Sequence, residues 1–405
     1  LINDGKDVNR DWKKLESAAL KKGNLSKKDK EIALTHTANF LGRTFKEVSD
    51  AYPNFAIKTD PNRFLKIIYY LGKLAINEVT TSKKRIITFS PVLRERLGQH
   101  IHGEIWASGI KKKLDEINLL ERPIHIISAN MHSVMNTIYS PFALPSEYKK
   151  YSAMEIYEML SDPKNTLLRE KVMKYASQNG LIYIKDNSGT NINVQIIDTA
   201  KLPNSLAKRA IDVKPVLIIM DYAFGEQAFE TLDELLKPYK KSKKSIKFLD
   251  VKSLSIMGKA GILEGGKGDI MLPSAHVFEG TADNYPFKNM LKKSHFEGEE
   301  IKVCKGTMIT VLGTSLQNKD ILKFFKNSTW NVVGLEMEGA HYQKAIQSAS
   351  KIRRSISSKV KVRYAYYASD NPLETGSTLA SGGLGTSGVK PTYLITEKML
   401  DQILE

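Results

Sequence analysis

From Arg122 onward, short apolar segments alternate with segments of helical periodicity, and this alternation limits the possible folds more than any other feature of the chain. Strand-like segments include IHIISA (124–129), PVLIIM (215–220) and NVVGLEM (331–337), and a helical pattern follows over 339–350. Two further segments, GLIYIK and NVQIID, flank the turn-rich sequence DNSGTN and predict an antiparallel hairpin. The alternation predicts an α/β domain in which helices flank a mixed central β-sheet.

The N-terminal part of the chain has a different pattern. Apolar residues recur at three- and four-residue spacing over 29–51, 62–79 and 90–114, which predicts helices. We therefore expect two domains, a helical N-terminal region over 1–121 and the α/β domain over 122–405.

The chain is strongly basic. Its 61 Lys and Arg residues exceed its 44 Asp and Glu residues and give a formal net charge of +17. The excess comes mainly from lysine runs, which lack the interleaved arginine and aromatic residues that nucleic-acid binding uses. This pattern is typical of a solvated lysine-rich surface, so we expect no nucleic-acid partner, whereas phosphate-bearing small molecules remain compatible with it.

Apolar length and cysteine content set two further limits. The longest apolar segments are too short to cross a bilayer, and no charged-then-apolar signal peptide opens the sequence. We therefore expect a cytoplasmic location and no membrane partner. Cys304 is the only cysteine, which excludes an intrachain disulfide and a cysteine-based metal cluster.

The segment VGLEMEGAHY places two carboxylates at the end of an apolar strand. Glu336 and Glu338 share one face of that strand and Met337 takes the other, because successive side chains of a strand point in opposite directions. Such a pair can bind sugar hydroxyls or a metal, or perform acid–base chemistry; at a sheet edge it would only be solvated. We favour function, because open α/β sheets bind ligands at strand ends and NVVGL is apolar enough for a central strand.

Two other segments place polar groups beside a predicted strand. The run VRYAYYASD ends in Ser369 and Asp370. An aspartate after tyrosines and alanines is a candidate proton donor, although an Asp before Asn-Pro is also a common turn residue. The segment GKAGIL (258–263) offers small residues that let backbone approach a ligand, together with Lys259 as a cation; a plain glycine-rich turn is the alternative.

In their order along the chain, these segments resemble the nucleoside phosphorylase and nucleosidase superfamily, which includes purine nucleoside phosphorylases, methylthioadenosine nucleosidases and AMP nucleosidases. The resemblance spans about residues 123–373 and rests on IHIISANMHSV, LIIMDYAFGEQAF, GKAGIL, GDIML, EME and SD. It implies a nucleoside phosphorylase-like fold and an enzyme that breaks an N-glycosidic bond without a cofactor.

Carried over by position, the resemblance assigns roles to individual residues. Glu338 corresponds to the glutamate that holds the ribose hydroxyls, Met337 to the methionine under the sugar, and Asp370 to the acid that protonates the purine N7. The other positions expected to line or support the substrate site are Glu336, Lys259, Gly261, Ser369, Asn130, His132, Ser133, Phe224, Gly225, Leu316 and Gln317.

The chain also departs from the family pattern. Phosphorylases of the superfamily usually hold phosphate with an arginine just before the G-x-[AC]-G turn and another in the first strand–helix loop. Here Ile256 occupies the first position, and residues 128–134 contain no arginine. This favours hydrolysis, with Lys259 as a partial substitute for phosphate binding. The water-activating glutamate of methylthioadenosine nucleosidases is also missing, because the nearest position is Ser133.

Two patterns do not predict sites. Residues 383–388 read G-x-G-x-x-G, but no strand leads directly into them and the chain ends too soon afterwards for a βαβ unit, so we expect no dinucleotide site. His100 and His102 are two residues apart in a predicted helix and do not face each other, so we expect no metal site.

The sequence therefore predicts a hydrolase that releases the base from a purine nucleoside or nucleotide and leaves ribose or ribose 5-phosphate. The segment SDNPLE resembles the SD-x-PL of AMP nucleosidases and, with the positive charge, favours a nucleotide. The alternatives are a purine nucleoside phosphorylase that uses phosphate and a non-catalytic nucleotide-binding or regulatory protein on the same fold. Self-association is expected by resemblance, because family members are typically dimers or hexamers.

Overall fold

The computed structural model describes residues 2–3, 7–8, 10–21, 23–81, 99–203, 214–242, 245–279, 281, 283–311, 318–374 and 385–404. The chain forms two compact units, Leu1–Leu93 and Arg94–Glu405.

The first unit is helical, which confirms the predicted helical N-terminal region. Its elements are β1 (Ile2–Asn3), β2 (Asp7–Val8), α1 (Arg10–Leu20), α2 (Lys27–Leu41), α3 (Phe45–Ala51), a 3₁₀ turn (Tyr52–Phe55) and α4 (Arg63–Thr81). Helix α2 begins after Ser26, whose hydroxyl oxygen accepts a hydrogen bond from the Asp29 N–H at 3.1 Å. In the core of the unit, Trp12 stacks on Tyr69 with ring centroids 5.2 Å apart.

The second unit contains the alternating elements that the sequence predicts. Its helices are α5 (Gln99–Glu116), α6 (Met131–Ala143), α7 (Ala153–Ser161), α8 (Thr166–Gln178), α9 (Gln227–Leu235), α10 (Lys319–Asn327), α11 (Gly339–Gln347) and α12 (Val389–Leu404). Its strands are β3 (Ile124–Ser128), β4 (Leu181–Ile184), β5 (Val194–Asp198), β6 (Val216–Met220), β7 (Tyr239–Ser242), β8 (Ser245–Lys247), β9 (Val251–Ile262), β10 (Ile270–Phe278), β11 (Asn284–Pro286), β12 (Val303–Thr310), β13 (Val332–Glu336) and β14 (Lys361–Asp370).

The unit boundary differs from the one predicted between residues 121 and 122. Helix α5 belongs to the second unit, because its Trp106, Ile110 and Leu114 are buried in that unit's core. The Trp106 indole N–H also donates to the Ile192 carbonyl oxygen at 2.9 Å. Helical periodicity alone does not show which core a helix packs against, and this placement depends on tertiary contacts.

The central sheet is mixed, which confirms the predicted fold class. Its strand order is β11-β10-β12-β13-β9-β3-β6-β5-β4, and β14 pairs with both β10 and β9. Strands β3 and β6 are parallel, whereas β4 and β5 form the predicted antiparallel hairpin. Strands β7 and β8 form a separate two-stranded sheet.

Helices cover both faces of the sheet. Apolar residues of α5, α9 and α11 contribute to one core cluster, and those of α6, α7, α8 and α12 contribute to the other. Within the described ranges, none of the helices combines the length and hydropathy needed to cross a bilayer.

Candidate functional site

Three candidate segments meet at Gly261 in β9. This glycine pairs with Leu335 of β13 on one side and with Asp370 of β14 on the other. Because neighbouring strands lie about 4.8 Å apart, about 10 Å separates the backbones of β13 and β14 at this point. The GKAG and SD segments and the end of β13 at Glu336, which are far apart in sequence, therefore occupy neighbouring positions of one sheet, and Met337 and Glu338 follow directly after β13.

An extra residue in β14 sets the position of Asp370. Ala368 pairs with Ala260 and Asp370 pairs with Gly261, so Ser369 has no counterpart in β9. The Ser369 hydroxyl contacts the Ala260 carbonyl oxygen at 3.2 Å and donates to Asp370 Oδ1 at 2.6 Å. The bulge and the serine together fix where the carboxyl group points.

The two carboxyl oxygens of Asp370 differ in their surroundings. Oδ2 is buried and has no hydrogen-bond partner among the residues that the structure describes. A buried oxygen without a partner is unfavourable by itself, which suits this atom to share a proton with a ligand. The following residue, Asn371, is fixed by its amide, which donates to the Gly265 carbonyl oxygen at 3.0 Å.

Glu336 is a buried carboxyl group that organises the turn from β13 into α11. It is only 2% exposed and accepts from the Thr310 hydroxyl at 2.5 Å, from the Glu338 N–H at 2.5 Å and from the Gly339 N–H. Burial and the neighbouring Glu338 carboxylate raise its pKa to about 8. Its oxygens are engaged by these three donors, so its place in the site is to support the turn that carries Glu338.

Glu338 lies at the start of α11 and reaches across to the start of α9. Its Oε1 accepts from the Gly225 N–H at 3.1 Å and its Oε2 accepts from the Met337 N–H at 3.3 Å. Burial raises the pKa of this carboxyl group, because little water remains to solvate the charge. Gly225 has a φ of +56°, in the left-handed region that favours glycine. Met337 is half-buried and packs against a core cluster that includes Leu335.

A cleft of about 630 Å³ lies beside Gly225. We call it the acidic cleft; its lining residues are Thr190, Asn191, Ile192, Asp221, Tyr222, Phe224, Gly225, Glu226 and Gln227. Phe224 is 72% exposed there, so its ring is open to a ligand. The cleft brings together the candidates Phe224 and Gly225, and the Gly225 hydrogen bond places Glu338 at its border.

A second cavity, of about 390 Å³, gathers the candidates from the first strand–helix loop with Lys259. We call it the basic cavity; its lining residues are Asn130, His132, Ser133, Asn136, Leu160, Ser161, Arg169, Lys259, Tyr367, Gly388, Val389, Thr392 and Tyr393. Helix α6 starts here because the Asn130 side chain accepts from the N–H groups of His132 and Ser133.

Some candidates are not brought together. Glu338 and Asp370 are not among the described residues that line either cavity, although their strands flank Gly261. Leu316 and Gln317 lie outside the described residues. Sequence reasoning missed Arg169, which has no motif around it and is recognisable only once α8 is placed next to Lys259.

Histidines and acidic residues do not form an evident metal centre in the part of the chain that the structure describes. The His102 ring nitrogen Nδ1 instead lies 2.7 Å from the Ser188 carbonyl oxygen. His276 is fully buried, lies 3.0 Å from the Tyr366 hydroxyl and has its pKa lowered to about 3 by burial. It is therefore a neutral ring in the core.

Residues 150–405 match the family of unknown function DUF6909. A comparison with curated proteins gives no match. Among solved structures, this chain is similar to the 5′-methylthioadenosine/S-adenosyl homocysteine nucleosidase of Campylobacter jejuni, with 12% identity, a TM-score of 0.40, and coverage of 70% of this chain and 98% of that one. It is also similar to the futalosine hydrolase of Helicobacter pylori strain 26695, with 10% identity, a TM-score of 0.40, and coverage of 70% and 97%.

Proposed function

This chain belongs to the family of unknown function DUF6909, and we propose that it hydrolyses the N-glycosidic bond of a purine nucleoside or nucleotide to release the free base. The observation that carries the proposal is the pairing of Gly261 with both Leu335 and Asp370. It supports the proposal because the candidate acid Asp370 and the strand that leads to Glu338 both pair with the small-residue segment of β9, which the sequence pattern suggested as a turn and which is part of the strand.

Asp370 is the general acid of the proposed reaction. Breaking an N-glycosidic bond leaves negative charge on the departing base, and protonation of the base removes that charge. Oδ2 of Asp370 is the free oxygen for this contact, while the Ser369 hydroxyl holds Oδ1 at 2.6 Å.

Glu338 binds the ribose in this proposal. A carboxylate offers about four lone-pair positions, and two of them accept from Gly225 and Met337. The remaining positions suit two sugar hydroxyl donors. As the bond breaks, positive charge develops on the ribose, so a nearby carboxylate stabilises the transition state more than the ground state.

The acidic cleft favours a nucleoside among the candidate substrates. Asp221 and Glu226 line it, and its described lining residues include no lysine or arginine. A 5′-phosphate placed beside these carboxylates would be repelled, whereas an uncharged 5′ group could rest against the exposed Phe224 ring. The carboxylates of this cleft therefore disfavour a nucleotide, although the net positive charge of the whole chain favours one.

The test is to incubate the full chain with adenosine, inosine, methylthioadenosine and AMP, with and without phosphate, and to measure free base by chromatography. Base release without phosphate supports the proposal. A strict phosphate requirement would identify a phosphorylase instead. Tight binding of these compounds with no turnover would identify a binding protein and overturn the proposal.

A further inference from the structure

Strands β7 and β8 form a two-stranded sheet that is separate from the central sheet. We call this sheet, together with Phe248, which follows β8 directly, the lysine ribbon. Residues 239–247 read YKKSKKSIK, a lysine run that contains no acidic residue. None of the residues assigned to the candidate site lies in the ribbon, so its charge and its exposed side chains have no role in the proposed reaction.

One side of the lysine ribbon packs on the second unit. The Tyr239 ring packs against a core cluster of that unit. Lys247, the cross-strand neighbour of Tyr239, places its Nζ 2.9 Å from Glu121 Oε1. The Nζ of Lys241 lies 2.7 Å from Oδ2 of Asp115 in α5. These contacts hold the ribbon against α5 and the residues that follow it, and they leave its other side uncovered.

That other side faces solvent. Lys240 and Ile246 are directly opposite each other in the β7–β8 pair, so their side chains lie on the same side. Phe248 follows Ile246 by two residues and continues that side, as the alternating exposure over 245–248 shows. Ile246 is 53% exposed and Phe248 is 60% exposed. Lys240 is exposed and has no carboxylate partner among the described residues. Two large apolar side chains and a cation therefore share one solvent-facing surface.

This combination suits the interface of a lipid bilayer. Such an interface accepts apolar side chains at the boundary of the acyl chains, while lysine ammonium groups remain among anionic headgroups. Each lysine near an anionic membrane surface strengthens binding about fivefold. A peptide that docks through its apolar side chains needs a groove instead, and neither the acidic cleft nor the basic cavity includes a described residue of the ribbon.

The lysine ribbon is remote from the candidate acid. Strand β9 begins at Val251, three residues after Phe248, and its Gly261 pairs with Asp370. At about 3.3 Å per residue, the strand extends about 33 Å from Val251 to Gly261. Binding at the ribbon can therefore be measured independently of base release, and the inference stands whether or not the chain cleaves nucleosides.

We propose that the lysine ribbon binds the surface of a bilayer that contains anionic lipids. Ile246 and Phe248 enter the headgroup region, and Lys240 lies beside anionic groups of the lipids. Such a contact needs no membrane-spanning segment. It differs from the sequence-based expectation of no membrane partner, because that expectation rested on the length of apolar segments, whereas surface binding depends on which side chains share one side of the ribbon.

The test is co-sedimentation of the full chain with vesicles of phosphatidylcholine alone and of phosphatidylcholine mixed with phosphatidylserine. We expect binding to the mixed vesicles and at least fivefold weaker binding to phosphatidylcholine alone, with high salt removing the difference. A double variant with Ile246→Ser and Phe248→Ser should bind the mixed vesicles at least tenfold more weakly. Lys240→Gln should bind them about fivefold more weakly.

Two matched variants on α10 serve as controls. Phe324 is 64% exposed and Lys326 is exposed as well. Helix α10 shares a core cluster with β13, which pairs with the end of β9 that is far from the ribbon. Phe324→Ser and Lys326→Gln should therefore bind the mixed vesicles within twofold of wild type. Circular dichroism should show an intact fold for every variant.

Absence of wild-type binding to the mixed vesicles, or equal losses in the ribbon and α10 variants, would overturn the proposal. A second copy of this chain is the competing occupant of the ribbon. It would be detected by analytical ultracentrifugation as a wild-type dimer that the ribbon double variant does not form. That result, without vesicle binding, would replace the membrane with a second copy as the partner.

Discussion

The acidic cleft and the basic cavity lie on opposite sides of β9 and differ in sign of charge. Asp221 and Glu226 line the first, and Lys259 and Arg169 line the second. Gly258 and Lys259 are consecutive in sequence, but Gly258 lies against Tyr222 of the acidic cleft and Lys259 lines the basic cavity. The comparison shows that a net charge of +17 says little about the local potential that a substrate meets.

The largest effect should come from the acid next to Gly261. If base release depends on Asp370, Asp370→Asn should lower kcat by about 10² to 10⁴, because the amide cannot deliver a proton. Single-turnover assays of base release would measure this, with circular dichroism as the control for folding. A variant that retains full activity would show that Asp370 is not the proton donor. The comparison of the two cavities would then say nothing about where the reaction takes place.

The next-largest effect is expected at Glu338, which borders the acidic cleft. Glu338→Gln preserves shape and the contact with the Gly225 N–H but removes the negative charge. Hydrogen bonds to charged groups are worth about 1.5–3 kcal/mol, so kcat/KM for a nucleoside should fall about 10- to 100-fold. The matched variant is Glu170→Gln, at an exposed position of α8, which should change nothing. Equal losses in both variants would point to instability rather than ribose binding.

Glu336 should affect stability in a pH-dependent way. Burial and Glu338 raise its pKa to about 8 from an ordinary 4.5, so between these values the folded state binds more protons than the unfolded state. Stability must then fall as pH rises through this range. Urea midpoints measured at pH 5, 6.5 and 8 should fall more steeply for wild type than for Glu336→Gln. Parallel pH profiles for the two proteins would show that Glu336 is not protonated in the folded state.

The smallest effect concerns the 5′ end of the substrate. Glu226 is exposed, so its repulsion of a 5′-phosphate is screened by water and salt. Glu226→Gln should therefore raise the ratio of AMP to adenosine turnover only about two- to fivefold at low salt, and 0.5 M NaCl should reduce the difference. The same ratio in both proteins at low salt would mean that the 5′ group does not lie in the acidic cleft.

Many of the strands and helices could be predicted from the sequence, because they depend on local hydrophobic pattern. The apolar runs at β3, β6 and β13 predicted strands, and their alternation with helices predicted a mixed sheet. The strand that ends at Glu336 was recognisable for the same reason, but the prediction that Glu338 shares one face of that strand was wrong, because Glu338 lies beyond β13 at the start of α11. Local pattern also explains the capping at Asn130, where an amide side chain starts α6.

The rest depends on contacts between distant segments. No periodicity shows that β9 lies between β13 and β14, or that α5 packs into the second unit. Arg169 is one of several charged residues in α8, and only the folded structure shows that it lines one cavity with Lys259. The strand pattern alone does not distinguish Glu336 from Glu338, and the resemblance does; in the structure Glu336 is enclosed by donors from Thr310 and the following turn, while Glu338 reaches Gly225.

The bulge at Ser369 means that the length of β14 matters as much as its composition. Deletion of Ser369 would leave the aspartate opposite Gly261 but would remove the bulge and the hydroxyl that holds Oδ1, so the carboxyl group would no longer be held in its present direction. A lineage could therefore misalign its acid through a single-codon deletion, without any substitution at the aspartate itself.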